Sequence, residues 1–195
     1  MSHPEIAPPP ENKNPEALFT EIVIVGCGNP LFSDDGFGKA VFEEMEKLTL
    51  PDNVKVIDGG LGAPHFIFTL LDPEVTKKLV IIDIADYGAK PGQVTKLKPE
   101  DLPPGAYRDA HSWDLAEPLQ RIKDQIEVTI IGCQPAKVTA PEFEIGLSEE
   151  LQKAIPKTIQ VILETIGVDY GTIIERLQEE RQRGTAEICG SGETR

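Results

Sequence analysis

The chain has 195 residues, a formal net charge of −14 and a pI near 4.6. The excess of Asp and Glu (33) over Lys and Arg (19) excludes a surface built to bind nucleic acid or an anionic bilayer, because both need clustered cations. The 39% hydrophobic content suffices for a packed core, and the absence of a long apolar run or a secretory signal pattern predicts a cytoplasmic protein without a membrane span.

The chain divides into three predicted segments. Residues 1–20 contain the prolines at 8–10 and lack hydrophobic periodicity, so we expect a flexible Pro-rich leader. Residues 21–170 carry the strand and helix patterns of one folded domain. Residues 171–195 predict a short charged helix and a polar tail that is partly disordered.

Strand and helix patterns alternate along the domain. Continuous apolar runs predict buried strands at 21–26, 79–84 and 127–132, and a further strand is predicted at 54–58. Residues 93–98 alternate less cleanly, which is typical of an edge strand. Helical spacing follows at 37–48, 64–71, 110–122 and 148–166, the last with Ser148 as N-cap. This order predicts a mostly parallel sheet with helices on both faces, and such sheets bind ligands at the carboxyl ends of their strands.

The loop after the first strand is rich in glycine and acid. Two glycines begin a dinucleotide fingerprint, but Asp34 and Asp35 fall in the first helical turn and would repel a pyrophosphate. The structural interpretation makes Ser33 the N-cap and the two acids partners of the helix dipole. Gly36 and Gly38 indicate that another backbone approaches closely, either the neighbouring strand or a substrate chain.

The three cysteines predict neither a zinc cage nor a disulfide scaffold. Cys27, Cys133 and Cys189 lie far apart and form no C-x-x-C pair. Cys27 and Cys133 end apolar strands, where small buried thiols are common.

Carboxylates and one imidazole are predicted to meet at the edge of the sheet. Asp58 leads a Gly-rich turn over 58–60 after the second strand, Asp83 ends the third strand, and His111 begins a predicted helix. Asp35, Asp83 and His111 would supply two oxygens and one nitrogen and leave positions open on a metal such as Zn, Ni, Co or Fe(II).

Four sequence blocks carry a family resemblance. GCGNPLFSDDGFG (26–38), VIDGG (56–60), LVIIDIADYG (79–88) and AHSWDLAE (110–117) resemble the maturation endopeptidases of [NiFe]-hydrogenases, an M52-like peptidase family. The resemblance implies a three-layer α/β/α sandwich around a five-stranded, mostly parallel mixed sheet. Residues 93–98 would be its one antiparallel strand.

The resemblance also implies a site and a substrate. The family's metal-contacting positions fall on Asp35, Asp83 and His111. The first is usually Glu in the family, so Asp34 stays an alternative to Asp35. The metal would be nickel already seated in the large-subunit precursor, with no permanently bound cofactor, although Zn or Cd could occupy the site in vitro. Asp58 is a candidate general base. We expect a monomer.

Two other functions are compatible with the sequence. One is a non-catalytic chaperone or scaffold of the immature large subunit. The other is a small-molecule hydrolase of similar architecture, whose anion site would use Arg108. The long leader and the extended C-terminal region suggest an archaeal-type partner, a deazaflavin-reducing hydrogenase.

Overall fold

A computed structural model describes residues 19–61, 71–101, 119 and 122–173 of the chain. These residues contain one five-stranded sheet. Its strands are β1 (Ile22–Cys27), β2 (Val54–Gly60), β3 (Lys78–Ile84), β4 (Val94–Leu97) and β5 (Glu127–Cys133). The two longest helices in the described residues are α1 (Phe37–Met45) and α2 (Glu149–Ile166), and short 3-10 turns cover Asp34–Gly36 and Pro99–Asp101.

The strand order across the sheet is β2-β1-β3-β5-β4. The pairs β1–β2, β1–β3 and β3–β5 are parallel, and β4 pairs antiparallel with β5 at the edge. The predicted α/β fold with a mixed sheet and one antiparallel strand is therefore confirmed. The weaker alternation at 93–98 marks this edge strand, because its residues are only partly buried.

Both faces of the sheet are buried. Alternate residues of β1 and β3, such as Ile24 and Ile82, face a cluster that includes Phe37 and Leu163 of the two helices. The intervening residues face a second cluster, which contains Leu119 on the opposite side. Side chains alternate across a strand, so a continuous apolar run fills both clusters. Burial on both faces explains why these strands lack the polar alternation of a half-exposed sheet.

The second helix begins as the sequence predicts. The Ser148 side chain accepts a hydrogen bond of 3.4 Å from the backbone N–H of Leu151, and Gly167 ends the helix in the left-handed conformation with φ 75°. The predicted apolar stripe is buried at Ile159, Ile162 and Leu163, among others. The start of α2 lies beside the loop that follows β1, because the backbone N–H of Ser148 donates to Asp34 in that loop.

The second strand is longer than its sequence predicts. Asp58–Gly60 was predicted as a turn, and that prediction is wrong because β2 continues through Gly60. A register shift between Gly26 and Cys27 lets Cys27 pair with Gly60, where φ is 48°. The glycine therefore serves a β-bulge within the strand, since a bulge of this kind needs a residue that tolerates positive φ.

Several predictions fall outside the described residues. These are the leader up to residue 18, the helix at 64–71 apart from Leu71, and most of the helix at 110–122. Of the latter, Leu119 and Ile122 are described and helical. Most of the 171–195 segment also lies outside. In the described part of the chain, the structure contains no helix with the length and apolar character needed to cross a bilayer.

Candidate active site

Three acidic residues lie at the carboxyl edge of the central strands. β1 is the middle strand of this group, and its Gly26 pairs with Asp58 of β2 on one side and with Ile82 of β3 on the other. Asp83 follows Ile82 directly, and Asp35 lies in the loop that leaves β1. These three carboxylates therefore lie at one edge of the sheet, and His111, which is predicted to join them, lies outside the described residues.

Close backbone contacts position the loop after β1. A β-carbon added to Gly38 would lie 2.2 Å from the carbonyl oxygen of Cys27 and 2.6 Å from that of Ile82. One added to Gly36 would lie 2.7 Å from the Cα of Pro30. Of the two interpretations of these glycines, close approach to the neighbouring strands is the one observed for Gly38. The start of α1 is consequently pressed against β1 and β3.

The predicted capping role of Ser33 is wrong. Asp34 and Asp35 occupy a 3-10 turn, and α1 begins after Gly36. Ser33 has φ 59° and makes no side-chain cap hydrogen bond. Its hydroxyl instead donates a hydrogen bond of 3.2 Å to the carbonyl oxygen of Gly146. Its backbone N–H donates to Glu144 at 2.7 Å. The loop is thus bonded to a distant segment rather than to its own helix.

Asp34 is fully buried and binds that distant segment. Its carboxylate accepts backbone N–H groups of Ala136 (2.8 Å), Lys137 (2.9 Å) and Ser148 (2.7 Å), and the Ser148 hydroxyl at 3.0 Å. Four donors compensate the cost of burying a carboxylate, and bonds to a charged acceptor are stronger than neutral ones. Asp34 therefore joins the loop after β1 to the loop after β5 and to the start of α2.

Asp35 and Asp83 have different surroundings from Asp34. Asp35 is partly exposed, and its Oδ2 accepts the backbone N–H of Asn29 at 2.9 Å. Asp83 is 8% exposed, and its Oδ1 accepts the N–H of Ile84 at 2.8 Å. A β-carbon added to Gly28 would lie 1.9 Å from the Asp35 carbonyl oxygen and 3.7 Å from Asp83 Oδ1, so both residues lie next to Gly28.

Asp58 forms an ion pair that the sequence did not predict. Its Oδ2 lies 2.7 Å from Lys39 Nζ of α1, and its Oδ1 accepts the N–H of Gly60 at 3.1 Å. The hydrogen bond to Asp58 is the main reason that the pKa of Lys39 is raised. Lys39 thus keeps a positive charge beside the second strand, at the same edge as the two other acids.

Both described cysteines are buried and poor nucleophiles. Burial raises the pKa of the Cys27 thiol well above its usual value, and the nearby charges of Asp83 and then Asp58 raise it further. Burial, and next the charge of Asp34, raises the pKa of Cys133 to about 12. The prediction that these two thiols are buried is confirmed. A Cys–His pair is disfavoured because the thiolate is the reactive form.

Thiol labelling tests this conclusion. In the Cys189→Ser protein, we expect neither Cys27 nor Cys133 to react with a disulfide reagent below pH 9, and both to react after unfolding in guanidinium. Because the pKa of Cys133 is raised in the folded state, the buried thiol contributes its full stability below the unfolded-state pKa near 9.0. This contribution is lost as the pH rises toward about 12, so the free energy of unfolding should decrease over this range. Rapid labelling of the native protein at neutral pH would contradict the expectation.

The metal prediction reaches beyond the described residues. Within these residues, no three His, Cys, Asp or Glu side chains form a group that could hold a metal ion. The predicted trio includes His111, which lies outside them, as does Arg108 of the alternative anion site. The ligand set of Asp35, Asp83 and His111 therefore stays a prediction, and so does the general-base role of Asp58.

Sequence reasoning missed one residue that supports this edge of the sheet. The buried Gln134 accepts the backbone N–H groups of Tyr87 (3.0 Å) and Ala89 (3.1 Å) at its side-chain oxygen and donates to Asp86 at 3.1 Å. These bonds hold the loop after β3 against the end of β5. The only sequence signal was a polar residue directly after an apolar strand.

Together, these features define a class: an α/β protein whose acidic residues gather around the carboxyl end of a central parallel strand. The family model described as hydrogenase maturation protease matches residues 40–165. The chain therefore belongs to the hydrogenase maturation protease family. As a member, it is a peptidase and hence a hydrolase.

Individual relatives agree with this assignment. The chain is 43% identical over 152 residues to the coenzyme F420 hydrogenase subunit delta of Methanothermobacter thermautotrophicus, covering 76% of this chain and 96% of the relative. It is 44% identical over 146 residues to a protein of Methanocaldococcus jannaschii named as a candidate hydrogenase maturation protease, covering 73% and 94%. The solution structure of the endopeptidase HycI from Escherichia coli is similar with a TM-score of 0.60 and 26% identity, covering 72% and 88%.

Proposed function

We propose that the chain removes the C-terminal extension of a [NiFe]-hydrogenase large subunit after nickel insertion. Asp35, Asp83 and His111 contact the nickel seated in the precursor, so the protein needs no resident cofactor. Zn or Cd could take the same position in vitro. The protein acts as a cytoplasmic monomer.

The different roles of two adjacent acids carry this proposal. Asp34 accepts four hydrogen bonds and is fully buried, whereas Asp35 is partly exposed beside Asp83. Asp35 is therefore the better candidate for contact with a substrate, which favours it over Asp34. Carboxylate oxygens and an imidazole nitrogen suit a divalent metal of intermediate hardness, and a set of three leaves positions for the precursor's own ligands.

A processing assay tests the proposal. Purified full-length protein is incubated with a nickel-loaded large-subunit precursor, and mass spectrometry follows the loss of the C-terminal peptide. We expect cleavage of the nickel-loaded precursor and none of the nickel-free form, which is the matched control. Equal cleavage of both forms would overturn nickel recognition, and cleavage of neither would overturn the peptidase role on this substrate.

The name of one relative supports a particular substrate. Coenzyme F420 is a deazaflavin, and the 43% identical protein is called a subunit of the coenzyme F420 hydrogenase. We therefore propose the large subunit of a deazaflavin-reducing hydrogenase as the precursor. The same name also favours a second candidate function, a lasting association with the immature subunit as a chaperone. Stable binding without any cleavage in the assay would support that alternative.

Asp58 is the proposed general base for the attacking water. Because a carboxylate has more acceptor positions than its two bonds here occupy, a water can still bind to it. The Asp58→Asn protein should keep an acceptor for the Gly60 N–H but lose about 100-fold in cleavage rate. The control is Lys39→Met, which removes the ion pair and keeps the base. If Asp58→Asn cleaves nickel-loaded precursor at the normal rate, Asp58 is not the base.

A further inference from the structure

An exposed apolar patch lies beside the candidate site. We use this name for Leu31, Val138, Phe143 and Ile145, which are 42%, 41%, 75% and 81% exposed and lie on two loops joined by backbone contacts. Phe143 and Ile145 are the two most exposed large apolar residues in the described part of the chain. Exposure of clustered large apolar side chains is uncommon for a surface that only meets water.

The patch is built on the loop that carries Asp35. Phe32 forms a bridge with Glu144, and Ser33 forms one with Val138. The N–H of Glu144 donates to the carbonyl oxygen of Leu31 at 2.9 Å. The backbone of 31–33 therefore lies between two stretches of the loop after β5. Leu31 therefore lies four residues before Asp35 in the same loop, and Val138 is bridged to Ser33, two residues before it.

The patch is also held in a fixed conformation. The Phe143 ring stacks on the nearly buried Phe32 ring with a centroid distance of 5.7 Å and an interplanar angle of 14°. An ion pair between Lys137 and Glu144 spans the same loop, and Asp34 binds its Ala136 and Lys137 N–H groups. Apolar side chains that are already ordered lose little entropy when a partner covers them, which is typical of binding hot spots.

We infer that the apolar patch is the docking surface for the hydrogenase large-subunit precursor, next to the segment that is cleaved. The inference rests on the proposed function, because it takes the precursor as the protein whose chain reaches Asp35. Continuity with the Asp35 loop selects the substrate as occupant over an unrelated protein. The exposed Glu142 beside Phe143 and the net charge of −14 favour apolar anchors with a basic rim on the precursor.

The test compares two full-length variants with the wild-type protein. Val138→Ser/Ile145→Ser removes two patch side chains and leaves the Phe32–Phe143 stack intact. Val75→Ser, 42% exposed in the turn before β3, is the matched control away from the site. Cleavage rates are measured over a range of nickel-loaded precursor concentrations. We expect KM to rise about tenfold in the double variant with kcat nearly unchanged, and no change in the control.

Three other results would overturn the docking surface, and one would overturn the proposed function. An unchanged KM overturns the docking surface while the proposed function stands. A lower melting temperature of the free double variant than of Val75→Ser also overturns the docking surface. It would mean that another part of the chain covers the patch in the free protein. If the wild-type protein is a dimer, the double variant is a monomer and KM is unchanged, the patch binds a second copy of the chain instead of the precursor. If wild type binds precursor through the patch without cleaving it, the docking surface stands and the proposed function falls.

Discussion

The Asp83→Ala protein is expected to fold normally and to leave the nickel-loaded precursor uncut. Asp83 lies at the end of β3 and is 8% exposed, where a carboxylate loses much of its hydration. Removal of the carboxylate saves this desolvation cost, which offsets the loss of its interactions, among them the bond to the Ile84 N–H, so the free energy of unfolding should change by no more than about 1–2 kcal/mol. If Asp83 contacts the nickel as proposed, its loss should cost at least about 1,000-fold in cleavage rate.

A neighbouring acid provides the control for this variant. Asp86 lies in the loop that follows β3, three residues after Asp83; it is exposed and accepts hydrogen bonds from Gly88 and Gln134. The Asp86→Asn protein should cleave at close to the wild-type rate. His111→Ala should resemble Asp83→Ala in its loss of cleavage. Normal processing by both Asp83→Ala and His111→Ala would remove these residues from the site.

The Asp34→Ala protein is expected to be strongly destabilised. Its substitution leaves three backbone N–H groups and the Ser148 hydroxyl without their acceptor at a partly buried position. Since an unsatisfied buried group costs about 1–3 kcal/mol and some of these groups will reach water, we expect a loss of about 3–4 kcal/mol in the free energy of unfolding. Denaturant unfolding monitored by circular dichroism measures this loss.

The matched control for Asp34 is an exposed aspartate. Asp52→Ala, in the turn before β2, should change stability by less than about 0.5 kcal/mol. An Asp34→Ala protein as stable as this control would show that the four bonds do not hold the loops together. If it were stable but inactive, Asp34 instead of Asp35 would be the better candidate for contact with the precursor.

Much of the fold follows from the sequence because its cause is local. Continuous apolar runs identify β1, β3 and β5 within one or two residues, since burial on both faces needs no polar alternation. The Ser148 cap is likewise local, because its side chain and the Leu151 N–H are three residues apart. The parallel order then places Asp35, Asp58 and Asp83 at one edge, as predicted.

The sheet, the acidic edge and the family can therefore be predicted from local sequence patterns. Tertiary structure decided which of two adjacent aspartates is structural, because the donors to Asp34 lie 102, 103 and 114 residues further along the chain. It also paired Asp58 with Lys39 across 19 residues and assembled the apolar patch from two loops. Local sequence spacing cannot predict such contacts, because only the packing of the strands and helices brings the partners together.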